Sequence, residues 1–368
     1  MARQNRKFIP RQRSTRPIGQ SLSDNQAPSV PHSPPVAIDG HWYIEAPLSV
    51  RLHQKSGLGL RMDDDSIRVN GEEILFCHWQ RHVPLPSTDW FESAVRSDSD
   101  LIARSIIFDV ARSGGELVIP LSHVPQDRQL NQVRNTWALR WDRGQVFTKE
   151  EPVAHVRWAW TTDEINWEEL LQWTRTVQSL GRAAELFVID EEMDVTMYLL
   201  NQEVPTGRQD LWDSFTSEHR AELARLWGLK ISRGTGWYIP CQIWPWESIG
   251  VEHLSGRHLR YEEGVFLESL LESKAIPSSL RLYDYLMGLG LLLRPGFKYG
   301  CRWRAYDGSV GEAHAPWLIQ PHHAAPQTWD AACLAVRLAE GVHKQWLCAI
   351  QSDDSWFCLQ MKRWQPGR

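Results

Sequence analysis

Tyr306, His314 and Lys344 fall on three separate expected elements between residues 294 and 350. Tyr306 ends the strand-like run CRWRAY, His314 begins the next run across the loop DGSVGEA, and Lys344 closes the helical segment TWDAACLAVRLAEGVHK. These residue types can supply a base, an acid and a fixed cation. Metal-free cleavage of RNA needs that set. The ribose 2′-OH attacks the adjacent phosphorus, the 5′-oxygen leaves, a base takes the 2′ proton, an acid protonates the leaving oxygen, and a cation steadies the charged phosphorane. The need for a 2′-OH restricts such chemistry to RNA. A tyrosine, with an ordinary pKa of about 10, acts as a base only where nearby cations lower that value, and a lysine close by helps to do so. Each residue also has a plain structural explanation. A tyrosine at a strand end is commonly a packing residue, a loop histidine is polar surface, and a lysine at a helix C-terminus complements the dipole.

The elements that must position this trio can be read from periodicity. CRWRAY (301–306) and PWLIQ (316–320) read as a strand pair that brings Tyr306 and His314 to one end. Residues 328–342 read as a helix with Trp329, Cys333, Val336 and Ala339 on a buried stripe. Arg337 precedes Lys344 by seven residues. On a continuing helix that spacing falls roughly 20° short of two turns, placing both cations on one face about 10 Å apart. QWLCAI (345–350) and SWFCLQM (355–361) read as the last two strands, after helices over 262–273 and 278–290 and a strand-like WYIPCQIWPW (237–246).

A similar order appears earlier. WYIEAPLSVRL (42–52), SIRVN (66–70) and EEILFCHW (72–79) read as short strand-like runs. Residues 87–114 read as helical, with Ser87 or Thr88 as cap and Gly114 as stop. The strands WALRW (137–141) and HVRWAW (155–160) follow, then a helix bearing Trp167, Leu170, Leu171 and Val177, then the strands ELFVID (185–190) and VTMYLL (195–200). LFVIDEEMDVTMYLL aligns without gaps to LCAIQSDDSWFCLQM, 161 positions on. The expectation is therefore an α+β chain with an internally duplicated unit, each copy a small mixed α/β N-terminal subdomain followed by a nuclease-like C-terminal α/β subdomain. The boundaries are a disordered basic tail over 1–36, a first unit over 37–203 and a second over 204–368, the latter split into an N-terminal subdomain (204–294) and a catalytic one (295–368).

Charge and composition fit this division. The chain carries a net −5, yet residues 1–36 hold six basic and one acidic residue, and residues 281–368 hold ten basic and seven acidic. The remaining 37–280 carries −13. Positive charge is thus concentrated where a phosphate backbone would be met. Six scattered cysteines without a CxxC pair suit reduced thiols in a cytoplasmic protein better than disulfides or a zinc site. The apolar run LMGLGLLL (286–293) is too short to cross a membrane, and the N-terminus shows no secretory signal. No cofactor or metal is expected.

The segments GFKYG, CRWRAY, HAPWLI and VRLAEGVHK resemble the catalytic half of the tRNA-splicing endonucleases, especially the archaeal ones with two units on a single chain. That family shows a G-F-K-[YF]-G turn, a strand ending in Tyr, a His opening the next strand, and a helix of the type V-R-x-A-x-x-V-x-K. These match Gly296–Gly300, Tyr306, His314 and Val336–Lys344. Upstream, the family's Y-x-D-L-R-x-R-G reads Tyr283-Asp284-Tyr285-Leu286 here and lacks the arginines.

The resemblance implies Tyr306 as general base, His314 as general acid and Lys344 as stabiliser of the transition state. It implies precursor tRNA folded as a bulge–helix–bulge as the substrate, and 2′,3′-cyclic phosphate and 5′-hydroxyl ends as products. It also implies that Arg337 clamps a bulged base with a partner, either Arg363 or Trp364. Asp353 and Asp354 would form an acidic assembly loop, with Asp190, Glu191 and Glu192 as their counterparts, and the chain would act as a homodimer. In the first unit Trp141 takes the place of Tyr306, His155 falls near the His314 position, and Arg182 or Ala183 falls at the lysine position. A tryptophan has no acidic hydroxyl, so that unit is expected to be structural. Two rivals remain at this level: a non-catalytic RNA-binding or structural subunit, and a metal-dependent nuclease, for which the residues around Lys344 supply no acidic cluster.

Overall fold

The structure is a computed structural model, and it describes residues 16–23, 27–124, 133–311, 314–353 and 355–364. The chain divides into two compact units: Met1–Gln132 with Ala138–Pro152, and Val133–Trp137 with Val153–Arg368.

The first unit contains β1 (Val36–Ile38), β2 (His41–Ile44), α1 (Leu48–Ser56), β3 (Leu60–Arg61), β4 (Ile67–Val69), α2 (Gly71–Arg81), α3 (Trp90–Ser97), α4 (Leu101–Ala111), β5 (Leu117–Pro120) and β6 (Ala138–Trp141). Four strands form an antiparallel sheet in the order β1-β2-β4-β3. EEILFCHW is helical here, not a strand. The Glu73 carboxylate accepts from the backbone N–H of Asn70 at 3.0 Å, closing a capping box, and from Gly59 N–H at 2.8 Å. Glu72 through Trp79 are all buried, so the helix presents no polar face from which a 3.6-residue period could be read. LSVRL is likewise helical and stops at Gly57, whose φ of 58° is left-handed. The expected helix over 87–114 is two helices broken at Asp98–Asp100, and the first is preceded by Asp89 rather than Ser87 or Thr88. Of the expected disordered tail, residues 1–15 and 24–26 lie outside the described residues. Residues 16–23 are anchored instead: Arg16 pairs with Asp109 at 3.0 Å, and the backbone N–H groups of Leu22 and Ser23 donate to the Trp79 carbonyl.

The second unit contains β7 (Ala154–Trp160), α5 (Trp167–Ser179), β8 (Ala183–Ile189), β9 (Val195–Glu203), α6 (Ser217–Trp227), β10 (Ile231–Arg233), β11 (Gly236–Pro240), β12 (Val251–Glu252), β13 (Gly256–Arg260), α7 (Tyr261–Leu271), α8 (Arg281–Gly288), β14 (Leu292–Pro295), β15 (Trp303–Tyr306), β16 (Trp317–Pro321), α9 (Trp329–Gly341), β17 (Gln345–Ser352) and β18 (Ser355–Arg363). A small sheet runs β10-β11-β13-β12, and within this unit the large sheet runs β14-β15-β16-β17-β18-β9-β8-β7. β17 is buried on both sides, which explains its unbroken apolar run. Trp346, Cys348 and Ile350 join α5 and α9 in one core, whereas Leu347 and Ala349 join Phe266, Leu286 and Trp303 in the other.

Connectivity repeats inside this unit. β7 and β8 are parallel, joined through α5, and β8 turns back into antiparallel β9; β16, α9, β17 and β18 do the same. Each helix has 13 residues and begins with a tryptophan, Trp167 or Trp329. Corresponding positions meet: Ile165 N–H donates to the Gln327 carbonyl at 2.8 Å, and Leu200 lies opposite Met361 where β9 pairs with β18. Backbone bonds fix the correspondence at the lysine. Arg182 N–H donates to Val177 O as Lys344 N–H donates to Ala339 O, so Arg182, not Ala183, takes the Lys344 position. The ungapped alignment therefore holds along β9 and β18 but slips by one residue along β8 and β17. The first turn, between the pair Ile189–Val195, is one residue longer than the second, between Gln351–Trp356. A one-residue slip in a strand exchanges its two faces.

His155 lies inside β7, fully buried, rather than in a loop like His314. Its Nε2 accepts from Arg182 Nη1 at 3.1 Å, so the ring is neutral and Nδ1–H donates to Thr136 Oγ1 at 3.2 Å. Burial, then Arg182, pushes its pKa down to about 4. A depressed histidine favours the folded state above its unfolded pKa, about 6.5. That contribution is lost as pH falls from there through 4. His155→Gln is expected to flatten the fall in thermal unfolding temperature between pH 6.5 and 4, a linkage of up to roughly 3 kcal/mol. Parallel wild-type and variant curves in calorimetry across that range would contradict this.

Candidate active site

The turn Gly296–Gly300 sets up the site. A 3-10 turn over Phe297–Tyr299 is closed by Tyr299 N–H donating to Gly296 O at 2.7 Å, and Gly300 leaves it at φ 66°, a left-handed conformation that suits glycine. Gly296 has no room for a side chain, since a Cβ there would lie 2.3 Å from Cys301 Sγ. The turn leaves Phe297 exposed and carries Tyr299 toward the end of β15.

Tyr306 is the last residue of β15, opposite Leu292 of β14, and is 7% exposed. Its ring packs with Leu292 and Ala315. His314 is exposed and sits just ahead of β16, which starts at Trp317, so it approaches the strand rather than opening it. Lys344 is buried, and its ammonium donates to the Ala315 carbonyl at 2.6 Å. Ala315 is thus the shared neighbour: it follows His314, touches Tyr306 and holds Lys344. Burial, and next Arg304, lower the Lys344 pKa. An ammonium has three donors, and among the described residues this one makes a single hydrogen bond, leaving donors for a ligand oxygen.

Two side chains that sequence reasoning missed complete the cluster. The Arg304 guanidinium carbon lies 5.9 Å from the ring centres of both Tyr299 and Tyr306, and the Lys344 ammonium lies 5.9 Å from the Tyr299 ring. The signal was present in WRAY: residues two apart on a strand share a face, so Arg304 had to accompany Tyr306.

Lys344 does not belong to the helix, and this corrects the expectation that it shares a face with Arg337. α9 ends at Gly341, and His343 adopts a left-handed φ of 57°, which turns the chain into β17. Arg337 stays on α9 and lines a different cavity of about 220 Å³, together with Arg363, Tyr198, Asp190, Asp194 and Asp330. Arg363 is therefore brought together with Arg337. Trp364 does not line that cavity; its backbone N–H donates to the Met197 carbonyl at 2.9 Å. Asp353 is exposed in the β17–β18 turn at φ 53°, and Asp354 lies outside the described residues. In the corresponding turn Asp190 Oδ1 accepts from the N–H groups of Glu192 and Asp194, both at 2.9 Å.

In the first unit Trp141 lies opposite Leu117 of β5, the register that Tyr306 keeps with Leu292. It is 1% exposed, and its Nε1–H donates to Glu150 O at 2.9 Å. Among the described residues no group of three or more His, Cys, Asp or Glu side chains is arranged to hold a metal ion, and no helix is long and apolar enough to cross a membrane.

Two comparisons with known proteins bear on this chain. A segment of 100 residues is 29% identical to a tRNA-splicing endonuclease from Methanothermobacter thermautotrophicus (strain ATCC 29096 / DSM 1053 / JCM 10044 / NBRC 100330 / Delta H), covering 26% of this chain and 58% of the relative. The chain thus spans little more than half the length of that relative. Residues 276–356 match the family described as tRNA intron endonuclease, catalytic C-terminal domain. That interval contains Tyr306, His314, Lys344 and the turn that serves them, so it is over this segment that the chain is similar to the tRNA intron endonuclease catalytic domain.

Proposed function

We propose that this chain is an RNA endonuclease that cuts precursor tRNA at intron boundaries presented as a bulge–helix–bulge, without a metal. The observation that carries this reading is the placement of Tyr306, His314 and Lys344 around Ala315. In the reaction, the Tyr306 phenolate accepts the 2′-OH proton and the 2′-oxygen bonds to phosphorus. The P–O5′ bond breaks, and the leaving oxygen takes a proton from the His314 imidazolium. Lys344, with donors to spare, faces the charge that builds on the non-bridging oxygens. The ends would be a 2′,3′-cyclic phosphate and a 5′-hydroxyl.

The cavity holding Arg337 and Arg363 suits a base better than a phosphate. Three carboxylates, from Asp190, Asp194 and Asp330, offset the two guanidiniums there, while an arginine plane stacks well on a neutral base. We take the repeated β7-α5-β8-β9 and β16-α9-β17-β18 connectivity, with equivalents meeting at Ile165–Gln327 and Leu200–Met361, as support for internal duplication. On that reading the chain comprises a basic tail (1–36), a structural unit (37–203) and a catalytic unit (204–368). The unit bearing Trp141 serves as scaffold, and two chains associate through acidic turns such as that of Asp353 and Asp354 to offer two cutting sites for the two ends of an intron. Such a protein needs neither cofactor nor membrane and would work in the cytoplasm.

Purified protein in excess EDTA is expected to cut an intron-containing pre-tRNA and leave cyclic phosphate ends, with His314→Ala at least 100-fold slower. Cutting that appears only when magnesium is restored would overturn the mechanism. Joint replacement Asp353→Lys and Asp354→Lys is expected to lower both the sedimenting mass and the cleavage rate, and an unchanged mass would contradict the assembly role.

A further inference from the structure

Taking a phenol out of water disfavours its charged form, and Tyr306 is 7% exposed. A base at this position therefore needs a compensating positive charge that is held close and is not already neutralised. Lys344 is partly committed, since its ammonium donates to the Ala315 carbonyl at 2.6 Å.

The arginines on and beside β14 and β15 divide clearly. Arg294 faces Glu263 at 3.6 Å, and Arg302 pairs with Glu262 at 2.5 Å. Arg304 has no carboxylate partner among the described residues. Its Nε–H donates to the Pro295 carbonyl at 3.0 Å, which fixes the guanidinium without removing its charge. That group lies 5.9 Å from the rings of both Tyr299 and Tyr306. A cation so placed attracts a neutral ring modestly and a phenolate much more strongly, because a full opposite charge then faces it.

We propose that Arg304 is a positioning residue of this centre, a fixed positive charge held by the Pro295 carbonyl and the Tyr299 ring that lets Tyr306 give up its proton. This deepens the proposed reaction and rests on it. Arg304 acts through Tyr306 and need not touch the RNA. Tyr299, delivered by the Gly296–Gly300 turn, supplies the other side of the slot, so the turn and the base are linked through one guanidinium.

The test compares wild type, Arg304→Gln and Arg304→Lys. Each full chain is labelled with ζ-carbon-13 tyrosine, with Tyr306→Phe assigning the signal. In protein without RNA, the Tyr306 tyrosinate signal is expected to appear at least one pH unit higher in Arg304→Gln than in wild type, with Arg304→Lys close to wild type. Single-turnover cleavage of pre-tRNA in EDTA by Arg304→Gln is expected to fall at least tenfold at neutral pH and to recover toward the wild-type rate as pH rises. A Tyr306 titration unmoved by Arg304→Gln, or a pH–rate profile lowered uniformly without a shift, would overturn the proposal. If wild type cuts no RNA, the proposed function fails, whereas the titration still decides the role of Arg304.

Discussion

A buried ammonium is costly unless it is hydrogen-bonded, and the arrangement of this site follows from how Lys344 meets that cost. Its bond to the Ala315 carbonyl joins the turn after α9 to the segment that leads into β16. β16 and β17 are parallel neighbours, and Gln345 N–H donates to Pro316 O at 2.8 Å, continuing the same link on the backbone. The lysine is therefore held where the parallel ladder begins. Ala315 in turn packs on Tyr306 at the end of β15, so one small residue fixes three elements relative to each other while His314 beside it stays exposed.

The sheet makes that placement rigid. β17 is covered on both faces, by α5 and α9 on one side and by the core of α7 and α8 on the other. β16 and β18 pair directly with it, and Lys344 immediately precedes it. The β9–β18 pairing is centred on Leu200 opposite Met361, about which the two strands form a local two-fold relation. On one side of that relation the lysine position carries Arg182, tied to buried His155; on the other it carries Lys344 with donors left over. The two positions share a backbone bond, while their surroundings differ in side chains, in the placement of His155 within a strand and in the length of the turn that follows.

Much of the site was legible in the sequence because its determinants are local. The Gly296–Gly300 turn needs glycine for a close approach and a left-handed exit, and Tyr306 and His314 flank a short loop between neighbouring strands. What was not legible depends on tertiary context. α2 reads as a strand because its apolar run is buried all round, and its helical start depends on Glu73 bonding to Gly59, fourteen residues away. Lys344 reads as helical because nothing local announces the left-handed His343. Arg304 was missed for the opposite reason: alternation in WRAY did place it beside Tyr306, but only the structure shows that no described carboxylate neutralises it.

The central claim is that the 2′-OH beside the cut bond is the nucleophile and that the Tyr306, His314 and Lys344 cluster activates it. The most direct measurement is cleavage, by the purified protein, of a pre-tRNA bearing a single 2′-deoxy substitution at one intron boundary. The account predicts no cutting at that boundary and normal cutting at the other. Cutting at the deoxy position would mean that water or another group attacks the phosphorus, and would contradict the account.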